Sequence, residues 1–170
     1  DERHGYALGD YGIMLHTNDS GATWQLISER LDNPDNYHLY GIARSGSETL
    51  LVAGEAGTIL RSRDHGETWD RPASPYQGSF FGAVAAHDGG LLVFGLRGNV
   101  FRSTDDGDTW SAVITNDQRT LLGGMTGDDG AIILVGSAGA VLTSSDHGTT
   151  FEKVSTSGNS VYSGVTETND

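Results

Sequence analysis

An eight-residue pattern, Ser/Thr-x-Asp-x-Gly-x-Thr-Trp/Phe, occurs four times in this chain, at residues 17–24, 62–69, 103–110 and 144–151. Its chemistry reads as a tight hairpin turn. Asp19, Asp64, Asp105 and Asp146 are short acids placed to accept hydrogen bonds from nearby backbone N–H groups. Two residues on, Gly21, Gly66, Gly107 and Gly148 supply a position where a left-handed backbone carries no steric penalty. Thr23, Thr68, Thr109 and Thr150 add a hydroxyl inside the turn. Trp24, Trp69, Trp110 and Phe151 then open the next strand with a ring large enough to need burial. The four aspartates are therefore expected to serve folding rather than chemistry, and all four rings to lie in the core.

The copies keep a common phase. The motif aspartates stand 45, 41 and 41 residues apart, and Gly41, Gly82, Gly123 and Gly164 follow one another at intervals of 41. A Gly-x-x-Gly segment begins ten residues before each motif aspartate, at 9–12, 54–57, 95–98 and 136–139. A period near 41 belongs to propeller blades and related arrays. In the third copy four strands are expected, over 80–86, 91–95, 99–103 and 110–115. The second is an unbroken apolar run, as are its counterparts at 50–54 and 132–136, which predicts a strand buried on both faces. No segment has helical periodicity. The expected fold is all-β, a β-propeller built from four four-stranded antiparallel blades in a single domain over 1–170.

The two ends complement each other. The first repeat lacks its first strand, while 161–166 reads as a first strand with no repeat behind it. Two arrangements follow: a closed small ring, in which 161–166 completes the first blade and hides both edges, or part of a larger propeller.

Composition narrows the function classes. Twenty-five glycines among 170 residues, without a collagen period, fit many short strands and turns, and the absence of cysteine excludes a disulfide framework. With 23 acids against ten bases the net charge is −13, which disfavours nucleic acid or an anionic membrane surface as a partner. No apolar run of 18 residues exists, so direct membrane insertion by a helix is not expected. The acid-rich Asp105-Asp106-Gly107-Asp108 lacks the ligand spacing of a calcium loop, and the six histidines show no paired spacing. Neither a metal nor a cofactor is expected.

The eight-residue motif, taken with the Gly-x-x-Gly segment and the apolar strand, resembles the Asp-box of BNR-repeat β-propellers. It is most similar to the photosystem II stability/assembly-factor-like family, over essentially all 170 residues. That resemblance implies an exported protein, periplasmic or extracellular, that acts by binding other proteins. A membrane-protein complex, or alternatively a glycan, is the partner it implies.

In a four-stranded blade the hairpin between strands two and three shares one face with the loop that leads to the next blade, and the Asp-boxes lie on the other face. The first face is expected to carry Asp10, Tyr11, Glu55 and Arg97 from the short hairpins. It also carries Asp35 and Tyr37, from a four-residue insertion within 30–37, and Tyr76 from the next such loop. Loop variation on a rigid scaffold is where recognition concentrates, and exposed tyrosines suit protein or glycan contacts. The expected function is a non-enzymatic protein-binding and assembly scaffold. The alternative is a sialidase-like or other glycoside hydrolase, for which Asp10 and Glu55 offer paired carboxylates in neighbouring blades. The Arg-Ile-Pro signature and arginine cluster of sialidases are absent.

Overall fold

The computed structural model describes residues 3–46 and 48–168. Among these the chain is all-β, with fourteen strands joined by turns and five short 3-10 segments. They form four antiparallel sheets in sequence order. The first holds β1 (Gly5–Leu8), β2 (Met14–Thr17) and β3 (Gln25–Leu26). The second holds β4 (Leu39–Ser45), β5 (Thr49–Gly54) and β6 (Ile59–Ser62). The third runs β7 (Phe80–Ala85), β8 (Leu91–Gly95), β9 (Val100–Ser103) and β10 (Ser111–Val113). The fourth runs β11 (Leu121–Thr126), β12 (Ile132–Gly136), β13 (Val141–Ser144) and β14 (Glu152–Lys153). The second sheet's outer strand is reduced to one bridge, Arg61 to Asp70. The first sheet begins with the repeat's second strand.

The apolar second strands explain how the sheets stack. Successive side chains of a strand point to opposite faces. Leu50 and Val52 join the cluster between the first and second sheets, with Met14, Ile27, Leu39, Leu60 and Trp69. Leu51 and Ala53 face the other way, against Phe80, Leu91 and Val93 of the third sheet. Leu92 and Phe94 then meet Leu121, Leu134, Leu142 and Phe151 of the fourth. Each middle strand is thus core on both sides, with no solvent face to carry polar residues.

The inner strands approach most closely at glycine. A Cβ on Gly41 would lie 2.7 Å from the Cα of Gly82, and one on Gly123 would lie 3.0 Å from the Cα of Gly164. The 41-residue glycine series therefore marks backbone-to-backbone contact between neighbouring repeats. The same contact corrects the closed-ring expectation. Residues 161–166 form no strand and lie beside β11, with the Tyr162 N–H donating to the Gly136 carbonyl. They do not pair with the first sheet; they continue the series as the next neighbour of the fourth.

All four Asp-boxes share one hydrogen-bond scheme. In the third, Ser103 Oγ donates to Asp105 Oδ1 at 2.7 Å and accepts from the Gly107 N–H at 2.8 Å. Asp105 also accepts from the Thr109 N–H at 2.9 Å and from its hydroxyl at 2.6 Å. The residue before the box glycine, His65, Asp106 or His147, has φ between 55° and 59° and turns its carbonyl to the preceding sheet. There it accepts from the Tyr6 hydroxyl, from Arg61 and from Arg102 respectively. Arg61, only 4 % exposed, further pairs with Asp70 and Asp108. Each box therefore closes its own hairpin, and the second, third and fourth also fasten it to the sheet before them.

The ring after the box follows the same rule. Trp69 packs on the first sheet, Trp110 on the second and Phe151 on the third. Trp24 departs from the expectation that every ring is core. It is 44 % exposed, because no described sheet precedes the first.

Thr23, Thr109 and Thr150 hold the carboxyls of Asp19, Asp105 and Asp146 at about 2, from an ordinary 3.8, chiefly through the threonine hydroxyl. Thr68 lowers Asp64 in the same direction. A carboxyl whose folded pKa is depressed favours the folded state above its unfolded pKa and loses that contribution as pH falls. The melting temperature is expected to be insensitive to these groups above about pH 5 and to fall between about pH 4 and pH 2. Thr109→Val, which removes one donor, should flatten that fall. An acid limb unchanged by Thr109→Val would contradict the assignment.

Candidate functional site

The hairpins between second and third strands share a turn geometry. Tyr11, Ala56, Arg97 and Ala138 stand at their tips with φ between 50° and 58°. Gly12, Gly57, Gly98 and Gly139 follow with φ between 68° and 73°. Here the space, besides the φ, requires glycine. A Cβ on Gly57 would lie 2.1 Å from the Tyr76 carbonyl oxygen, and one on Gly98 would lie 2.0 Å from that of Asp117. Each hairpin is thus seated on the loop that leads to the next sheet, and the two share one face.

On that face the first two sheets meet at His38. Its Nδ1 lies 2.8 Å from Asp10 Oδ1 and its Nε2 lies 3.8 Å from Glu55 Oε2. The His38 backbone N–H donates to the same Glu55 oxygen at 3.2 Å. The ring is flanked by Tyr11 at 4.9 Å and by Tyr40, nearly parallel, at 6.2 Å. Phe81 continues the row, 5.1 Å from Tyr40. Tyr40 and Phe81 are the extra residues where the pairing of β4 and β7 slips by one, a bulge that re-aims a side chain beside a sheet end. Tyr11 is 72 % exposed and Tyr40 38 %. Burial raises the Tyr40 hydroxyl pKa, and the carboxylates of Glu55 and Asp10 raise it further.

Three of the sequence-expected residues, Asp10, Tyr11 and Glu55, therefore come together. The other four make no hydrogen bond, ion pair or ring contact to that cluster among the described residues, although Tyr37 directly precedes His38 in the chain. Asp35 is exposed on the inserted loop. Tyr37 is held there by buried Asn33, which donates to its carbonyl and accepts from its N–H, while the Arg71 guanidinium lies 5.8 Å from its ring. Arg97 is an exposed hairpin tip. Tyr76 is partly buried and packs on Phe80 and Phe101 at 6.0 and 6.1 Å, against the core between the second and third sheets.

The residue that organises the cluster is His38, one of six histidines with no paired spacing in the sequence. Its signal was positional. It stands three residues before Gly41, where Ser79 and Thr120 stand before Gly82 and Gly123, and all three carbonyls accept from the hairpin of their own sheet. The geometry also bears on hydrolysis. The imidazole of His38 contacts Asp10 and approaches Glu55, the two carboxylates that a glycosidase would set across the scissile bond.

A cleft of about 540 Å³ lies elsewhere, lined by His4, Tyr6, Ile42, Arg44, Leu50 and His65. It occupies the place that an inner strand fills in the other sheets, and its shape follows from the stacking rather than from convergent chemistry.

The model of the family described as Photosynthesis system II assembly factor YCF48 matches residues 1–151. The chain belongs to this family. It is 32 % identical over 83 residues to a Photosystem II assembly lipoprotein Ycf48 of Synechococcus sp. (strain CC9902), covering 45 % of this chain and 25 % of that one. Among solved structures, YCF48 bound to D1 peptide superposes with a TM-score of 0.74 at 23 % identity, covering 98 % of this chain and 55 % of that chain. The chain thus spans about half the length of that relative. An ancestral GH74 enzyme superposes with a TM-score of 0.70 at 13 % identity, covering 93 % of this chain and 25 % of that chain. These two likenesses concern the fold, which hosts assembly factors and enzymes alike.

Proposed function

We propose that this chain works without catalysis, as an assembly scaffold that holds a segment of a membrane-protein subunit on the hairpin face opposite the Asp-boxes. The observation that carries this reading is the row Tyr11–His38–Tyr40–Phe81, with both tyrosines exposed, fixed across three sheets by bulges and by two carboxylates. Aromatic side chains on a preformed surface contribute most of the energy in protein recognition, because they bury large area at low entropic cost. Membership in an assembly-factor family supports the same role, and a relative of this fold binds a D1 peptide.

The test is the affinity of this chain for a D1 peptide by calorimetry. Saturable binding is expected. The double variant Tyr11→Ala, Tyr40→Ala should weaken it about tenfold or more, the loss of a recognition hot spot, with little change in melting temperature. Absent binding, or equal affinity in the double variant, would overturn the reading.

A further inference from the structure

We propose that the aromatic row on the hairpin face takes a cationic side chain, a lysine or arginine of the bound segment. This rests on the hairpin face being the binding surface and adds the chemistry of its occupant. Along the row Tyr11 is 72 % and Tyr40 38 % exposed, and Asp10 and Glu55 stand beside it, with the Asp10 side chain 75 % exposed. Asp10 Oδ1 and Glu55 Oε2 are turned to His38, which leaves Asp10 Oδ2 and Glu55 Oε1 with no hydrogen bond among the described residues. A cation laid over Tyr11 or Tyr40 meets the negative face of a ring and a carboxylate at once, and each strengthens the other. An anionic side chain would be repelled at the same place, in a chain of net charge −13.

The rest of the face differs in charge. The hairpin positions equivalent to Asp10 and Glu55 are Leu96 and Ser137, and those equivalent to Tyr11 are Ala56, Arg97 and Ala138. Arg119 and Lys153 of the fourth-sheet side lie beside buried Asp117. The carboxylate-and-ring pairing thus occurs where the first and second sheets meet and is not repeated at the third or fourth hairpin. That localisation fixes the orientation of a partner segment, with its basic residue over the first two sheets.

Two acetylated, amidated pentapeptides serve as probes: arginine between alanine and glycine residues, and the same peptide with uncharged citrulline. Each is titrated into the isotope-labelled protein while the amide signals are followed. The arginine peptide should give saturable shifts at Tyr11, His38 and Tyr40 that weaken with added salt, and the citrulline peptide should give none. Asp10→Asn with Glu55→Gln keeps an oxygen acceptor for His38 while removing both charges. It should weaken the arginine peptide about tenfold or more while leaving the chain folded.

Equal shifts from both peptides, shifts confined to other residues, or undiminished binding in the neutralised variant would each overturn the proposal. If these results came while the D1 peptide still bound the hairpin face, the choice of a cation would be wrong and the face assignment would stand. Loss of D1 peptide binding altogether would instead remove the reading beneath it.

Discussion

Trp69→Ala is expected to lower stability by about 3–5 kcal/mol, a large share of what holds a domain of this size folded. Trp69 is 8 % exposed and lies among Met14, Ile27, Leu39, Leu50, Val52 and Leu60, between the first two sheets. Its ring meets Tyr6 edge-on at 6.2 Å, and its Nε1–H donates to the Gly66 carbonyl at 3.1 Å. Alanine would empty that site and loosen the Asp-box from the sheet before it. Trp24→Ala is the matched control. The same motif position, 44 % exposed, should cost far less. Chemical denaturation of both variants checks this, and equal losses would mean that the motif itself, not packing between sheets, sets the role of the ring.

Gly57→Ala is expected to cost roughly 2–5 kcal/mol, from left-handed strain of about 1–2 plus overpacking of about 1–3. Gly57 has φ 73°, and its added methyl would lie 2.1 Å from the Tyr76 carbonyl oxygen and 3.1 Å from Ser74 Oγ. The hairpin and the loop beneath it must separate, which displaces Glu55 from His38. Stability and peptide affinity should therefore fall together. Gly89→Ala shares the left-handed φ of 86° but meets open space, so it should show the strain alone and leave affinity unchanged. Denaturation midpoints and peptide titration of the pair separate strain from collision. Equal losses of stability in the two would contradict the account.

What could be read in sequence was what is local. The Asp-box closes within seven residues, from Thr17 to Thr23 in the first copy, so spacing alone revealed both its partners and its role. The double-sided burial of 50–54 was visible because a strand with no polar face has no solvent side. Trp24 departs from its motif's pattern because its burial depends on a neighbouring sheet, not on the motif itself. Tyr76 sits on a loop by sequence, yet its neighbours Phe80 and Phe101 draw the ring inward. His38 was missed because its carboxylate partners lie 28 residues before it and 17 after it, a separation no short pattern spans. Propeller architecture places those three side by side; their proximity is a property of the stack.

Amide hydrogen exchange of the protein with and without a D1 peptide tests the account most directly, because it asks which face is covered. Slowed exchange is expected at the hairpin amides of 9–13 and 54–58 and at 37–41, with the Asp-box amides of 17–24 and 62–69 unaffected. Slowed exchange at the Asp-box turns, with the hairpins unchanged, would contradict it.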